Sequence, residues 1–304
     1  MRQKFYFVLA GFITLLMFAV FSSSVGAADA PPRAAATKTS YQPGPMKPAV
    51  DAAPLVLSAA PRETRAQGIE RFAPLASYLS KELGRKVEYR HAGSWGVYRA
   101  QMVRGDYDIV FDGPHLTGWR VQHMDYHVLA RVAGGFEFAL IVRRDNARAS
   151  KLAQLAGRTL CAHAPPNFSA EVALALFDNP VRQPALLPTD GWENIYRSVE
   201  SGRCVAGIIP VSDLAARDPD GVVMRTLYRS PAYPNQAISA GPRLSQVEQE
   251  WLARVLASPE AGEALRALSV HYGMQQPFVA ASDGEYQGLA RFLQNEWGFD
   301  TARR

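Results

Sequence analysis

Cysteine is scarce in this chain of 304 residues: Cys161 and Cys204 are the only two. Neither lies near the N-terminus, so a lipid attached behind a leader has no acceptor thiol. Long apolar runs are scarce as well. Beyond the stretch from Phe5 to Phe21, no segment is apolar enough to span a bilayer. Charge of one sign is not in excess, because 33 Lys and Arg stand against 28 Asp and Glu, a balance of +5 scattered along the chain. That excludes a nucleic-acid footprint. Metal ligands in a usable pattern are also lacking. His115, His123, His127 and His163 do not fall on one face with a carboxylate or thiol, so no metal and no other cofactor is expected. Cys161 and His163 could suggest a thiol with its base, but they sit two apart on a strand-to-loop passage. In an exported chain, Cys161 is better paired with Cys204 as a disulfide. No catalytic residue is expected.

What is present starts with a targeting segment. Arg2 and Lys4 precede the apolar run, and small residues follow from Ser22 to Ala28, so residues 1–27 read as a signal peptide cut after Ala27. An uncleaved anchor is the alternative. Residues 28–52 are rich in Ala and Pro without apolar periodicity and read as a flexible linker. The remainder has ordinary globular composition, 48% hydrophobic and 20% charged over the whole chain, and enough length for two domains. The mature protein is expected to be soluble, monomeric and periplasmic.

From Leu55 onward, short apolar runs alternate with helical patterns, the signature of βα units. Leu55–Leu57 opens as a strand. Ile69, Phe72, Leu75, Leu79 and Leu83 then trace one face of a helix that Gly84 can end. Strands follow at Val87–Tyr89 and Asp108–Phe111, on either side of a helix capped by Ser94 and running through Val103. Phe138–Val142 and Arg158–Cys161 are further strands, with a helix near Ser150–Leu155 between them. A helix after Ser169, a strand at Pro184–Leu187, a helix with Asp190 and Glu193 as a capping box, and a strand at Val205–Ile209 complete a second unit. Gln236–Ala240 is a short strand, Ser245 with Glu248 opens another helix, and the rest reads as helical. The expected fold is α/β with two domains, each a mainly parallel sheet flanked by helices. Domain 1 takes residues 53–141 and 238–304, and domain 2 takes 142–237.

Four segments carry a resemblance to a known family: Gly105-Asp-Tyr-Asp-Ile-Val-Phe-Asp-Gly-Pro114, Ala139-Leu-Ile-Val-Arg-Arg-Asp145, Leu152-Ala-Gln-Leu-Ala-Gly-Arg-Thr159 and Ser201-Gly-Arg-Cys-Val-Ala-Gly207. In order and spacing they resemble the phosphate, phosphite and phosphonate substrate-binding proteins of ABC transporters. The resemblance implies a type II periplasmic-binding fold and a small polar, anionic ligand held between the domains. It also implies an ABC-transporter permease as partner; presenting the ligand to a membrane sensor kinase is the alternative. One departure stands out. Phosphonate-binding members open the first helix of the second domain with a Ser-Thr-Ser run, whereas this chain reads Pro165-Pro-Asn-Phe-Ser169, keeping only the last serine.

Ligands of open α/β sheets bind where strands end and helices begin. The strand-end loops therefore supply the candidate ligand residues. Glu63, Asp112 and His115 come from the first domain, and Asn167, Phe168, Ser169, Trp192 and Asp213 from the second. Trp95 joins Phe168 and Trp192 as a possible aromatic wall, with Trp119 expected in the core.

Overall fold

The computed structural model describes residues 53–272 and 278–299. The expected signal peptide and linker, residues 1–27 and 28–52, lie outside the described residues. In chain order the elements are β1 (Leu55–Ala59), α1 (Arg65–Leu83), β2 (Val87–Tyr89), α2 (Trp95–Arg104), β3 (Ile109–Asp112), α3 (Pro114–His123), β4 (His127–Arg131), β5 (Gly135–Phe136) and β6 (Phe138–Arg143). There follow β7 (Thr159–Ala162), α4 (Phe168–Leu174), β8 (Ala185–Pro188), α5 (Trp192–Glu200), β9 (Ala206–Pro210), α6 (Val211–Arg217) and β10 (Met224–Arg229). The chain ends with β11 (Tyr233–Pro234), β12 (Ala237–Ala240), α7 (Gln246–Leu256), α8 (Gly262–Tyr272), β13 (Val279–Ala280) and α9 (Asp283–Tyr286).

Two sheets organise these elements. The first runs β13-β4-β12-β3-β1-β2 and the second β10-β6-β9-β7-β8. Parallel pairing is confined to the βα units: β1 with β2 and β3, and β7 with β8 and β9. The strands next to the crossings, β6 and β12, run antiparallel to both of their neighbours, so each sheet is mixed. The chain changes sheet twice, and the two passages are joined by a short antiparallel ladder in which Tyr233 faces Phe136 and Pro234 faces Gly135. The expected crossing after Ile141 falls inside β6, which lies wholly in the second sheet; the chain crosses ahead of it, at β5.

Local signals explain the helices of the first lobe. Thr64 caps α1 in a reciprocal box with Gln67, and Gly84 ends it at φ 58°, a conformation that costs a glycine little. Phe72, Leu75, Leu79 and Leu83 face inward onto Leu55, Leu57, Ile109 and Phe111 of the sheet. Each such side chain taken from water stabilises the fold by roughly 1.5–3 kcal/mol. Ile69 was expected on that face but is 47% exposed; Gly68 occupies the buried position, with Tyr89 and His91 against it. Ser94 caps α2 and Ser245 with Glu248 boxes α7, both as their sequences indicate.

Elsewhere the local pattern misleads. Residues near Ser150–Leu155 make only a short 3-10 turn at Leu152–Leu155. Gly191, at φ 83°, is the residue before α5 and offers no side chain, so Asp190 and Glu193 do not form a capping box. The tail expected to be helical contributes β13 to the edge of the first sheet, and β4 and β10 had no counterpart in the pattern. In the second lobe, Cys161 of β7 and Cys204, just before β9, form the expected disulfide with their Cα atoms 5.8 Å apart. Among the described residues no helix is long and apolar enough to cross a membrane.

Candidate functional site

The loop from β1 to α1 leaves the first sheet at the end of β1. Its Glu63 is tied inward: the carboxylate accepts from Tyr272 Oη at 3.0 Å and pairs with Arg71 Nη1 at 3.0 Å, and its side chain is only 3% exposed. The Glu63 carbonyl accepts from His91 Nε2 at 3.0 Å while His91 Nδ1 accepts from the Gly93 amide. The same Tyr272 also lies close to Arg62, the neighbour of Glu63. Arg62 has a buried Nη1 with no hydrogen-bond partner, and its Nη2 lies 3.1 Å from the point where a Cβ on Gly113 would sit. Burial opposes its charge, but Tyr272, Glu63 and Asp112 together hold the guanidinium above its ordinary pKa.

The loop from β3 to α3 lies beside the β1–α1 loop, with Gly113 against Arg62. Asp112 accepts from Tyr98 Oη at 2.6 Å and from Arg120 Nε at 2.8 Å, with both charged side chains fully buried. The Arg120 guanidinium lies over the Tyr126 ring at 5.0 Å and near the rings of Tyr98 and Tyr107. Asp112 thus has its oxygens engaged behind the loop, where it braces Gly113, Pro114 and His115 at the start of α3. His115 is 1% exposed and donates from Nε2 to the Pro166 carbonyl at 2.7 Å, a bond that joins the two lobes. Its Nδ1 is buried and has no partner. Burial lowers its pKa to about 4, against a pull upward from the Pro166 carbonyl and with a further push down from Arg62. The ring is neutral at ordinary pH, with the proton on Nε2 and a bare lone pair on Nδ1.

The second lobe meets His115 through the loop before α4. Asn167 Oδ1 accepts from the Ser169 amide at 3.1 Å and from the Ser169 hydroxyl at 3.0 Å, so the two residues satisfy much of each other's capacity. Phe168 stacks on His115 with centroids 4.9 Å apart and turns its edges to Phe138, Tyr233 and Phe292. It is 5% exposed and fills the junction of the lobes. Trp192 lies edge-on to His163 at 4.3 Å, and His163 Nδ1 is 3.8 Å from Asp190. Burial lowers the His163 pKa, and Arg62 contributes to that shift from the opposite lobe.

Of the residues singled out by sequence, His115, Asn167, Phe168 and Ser169 are brought to one place. Trp192 borders it through His163. Glu63 and Asp112 stand behind the loops, held by Arg71, Tyr272, Tyr98 and Arg120. Trp95 packs edge-on to Tyr98, and Asp213 pairs with Arg217 one turn along α6 at 3.3 Å. Trp119 is in the core against Phe299. Arg62 was missed. Its signal was a lone cation just after Pro61 in a strand-end loop already marked as facing the cleft.

A profile of the family described as ABC transporter, phosphonate, periplasmic substrate-binding protein matches residues 57–286. The chain belongs to this family. Its members are substrate-binding transport proteins, not enzymes, and the family resemblance seen in the sequence is borne out. No curated protein matches the chain in sequence. Solved structures of low identity share the type II periplasmic-binding fold. XAC2383 from Xanthomonas citri bound to chloride ion is 19% identical at a TM-score of 0.62, covering 79% of this chain and 97% of that one. PhnD1 from Prochlorococcus marinus (MIT 9301) in complex with methylphosphonate is 16% identical at 0.59, covering 79% and 97%. PA3383 from Pseudomonas aeruginosa, a binding-protein component of an ABC phosphonate transporter, is 16% identical at 0.55, covering 78% and 84%.

Proposed function

We propose that this member of the family binds a small oxyanion of the phosphonate or phosphate type between its lobes. In this reading it works in the periplasm and delivers the ligand to an ABC-transporter permease. The observation that carries the reading is Arg62: its buried Nη1 has no hydrogen-bond partner, and its Nη2 reaches the Gly113 backbone beside His115. A buried donor left unpaired costs free energy, and an anionic ligand removes that cost while adding charge-assisted hydrogen bonds. The family's Ser-Thr-Ser run is absent here, and Ser169 already gives its hydroxyl proton to Asn167. The charge that holds the anion therefore comes from the first lobe. His115, the Asn167 amide and the pair formed by His163 and Trp192 complete the surroundings.

Titration calorimetry with methylphosphonate and inorganic phosphate tests the reading. At least one should bind, and Arg62→Gln should weaken that binding by about ten-fold or more, the worth of a hydrogen bond to a charged group. Unchanged affinity in Arg62→Gln would sink it.

A further inference from the structure

We infer that His115 Nδ1 is a proton-reading contact that makes the site select oxyanions still carrying one hydroxyl, such as a monoprotonated phosphonate, over fully ionised ones. This rests on the cleft reading above and deepens it. Two atoms of opposite hydrogen-bonding sense meet at one point. The position a Cβ would take on Gly113 lies 3.1 Å from Arg62 Nη2 and 3.4 Å from His115 Nδ1. Of these, His115 Nδ1 is shut away from solvent without a partner, as is the other terminal nitrogen of the same guanidinium, Arg62 Nη1. The guanidinium can only donate. The imidazole nitrogen beside the same glycine can only accept, because its ring proton is committed at Nε2 to the Pro166 carbonyl 2.7 Å away.

A ligand that satisfies both must be an acceptor on one side and a donor on the other. A fully ionised sulfate offers oxygens alone, and one of them would face a nitrogen lone pair in a dry place. A monoprotonated phosphonate fits: its charged oxygens accept from Arg62 while its P–OH donates to Nδ1. The alternative of a protonated His115 meeting a dianion is opposed by its setting. Arg62 from the β1–α1 loop pushes proton affinity down, Asp112 behind the loop pulls it up, and burial outweighs both in favour of the neutral ring. On the second lobe, His163 is also held toward its neutral form by burial. The bond from Nε2 to the Pro166 carbonyl keeps the ring from turning its other edge to the ligand.

The test uses the intact protein with methylphosphonate and sulfate as probes. Binding of methylphosphonate should weaken by about ten-fold for each pH unit above its second ionisation, because only the monoanion binds. The 31P shift of the bound probe should stay that of the monoanion where the free probe is a dianion. Sulfate should fail to compete, and His115→Phe, which keeps a ring against Phe168, should flatten the pH profile and narrow the gap between the probes. Binding that tightens as methylphosphonate becomes a dianion, or a dianion shift in the bound state, overturns the inference and leaves the oxyanion site standing. Sulfate binding as tightly as methylphosphonate does the same. Failure of both probes and of phosphate at every pH removes the oxyanion site itself, and this inference with it.

Discussion

Glu171 on α4, whose buried Oε1 has no hydrogen-bond partner, lies close enough to Glu296 in the C-terminal segment for the two carboxyl groups to act on each other. Burial first, and the neighbouring carboxylate second, push the Glu171 pKa well above the usual carboxylate range. The folded protein therefore holds a proton there that the unfolded chain releases near pH ~4.3. By linkage, the stabilisation is complete below that value and is lost as pH climbs toward the pair's raised pKa. Buried His115 acts in the opposite sense below its ordinary value of 6.5, so the window of interest lies above neutrality. Between pH ~7 and ~9 the melting temperature should fall, and Glu171→Gln should flatten the slope. A wild-type melting temperature that is level or rising across that range refutes the retained proton.

Reducing the Cys161–Cys204 bond, or replacing both residues with serine, should lower stability by about 4 kcal/mol in the chain-entropy account. The bond closes a sequence separation of 43 and ties the turn before β9 to β7, which pairs with that strand. Denaturant unfolding of oxidised and reduced protein measures the difference. A midpoint that does not move would show that the sheet alone holds this turn.

Arg120→Met should cost about 3–5 kcal/mol, because it strands the Asp112 carboxylate in a fully buried position. Tyr98→Phe removes one neutral donor from the same carboxylate and should cost only about 1–3 kcal/mol. Equal losses in the two variants would mean that the ion pair is not what makes the site costly to disturb.

Gly113→Ala should reduce methylphosphonate affinity by roughly ten-fold with a much smaller effect on melting temperature. The added methyl group would crowd Arg62 Nη2 and the His115 ring, which cannot yield easily while it bonds to Pro166. Calorimetry beside a thermal melt separates the two effects, and an unaltered affinity tells against this corner as the binding point.

Capping and periodicity made much of the fold legible, because Ser94, Ser245 with Glu248, and Gly84 act within one turn of themselves. The short strands β4 and β13 were not legible, since they gain their partners only from distant β12 and from each other. At the candidate site the same limit applies more sharply. Asp112 looks available until Tyr98, fourteen residues earlier, and Arg120, eight later, occupy its oxygens. Phe168 looks like a ligand wall until Phe138, Tyr233 and Phe292 enclose it. Arg62 gains its meaning only from Gly113 and His115, which the fold brings to it from some fifty residues away.

The position of β12 also imposes an order of assembly. It is the strand between β3 and β4, yet it is made after the whole of the second sheet. As the chain emerges from its N-terminus, every strand of the second sheet is available before residue 237. β3 and β4 by then lack the strand that joins them and carry open edges. The lobe that begins first is finished last, and its missing strand arrives only once the other sheet has been made.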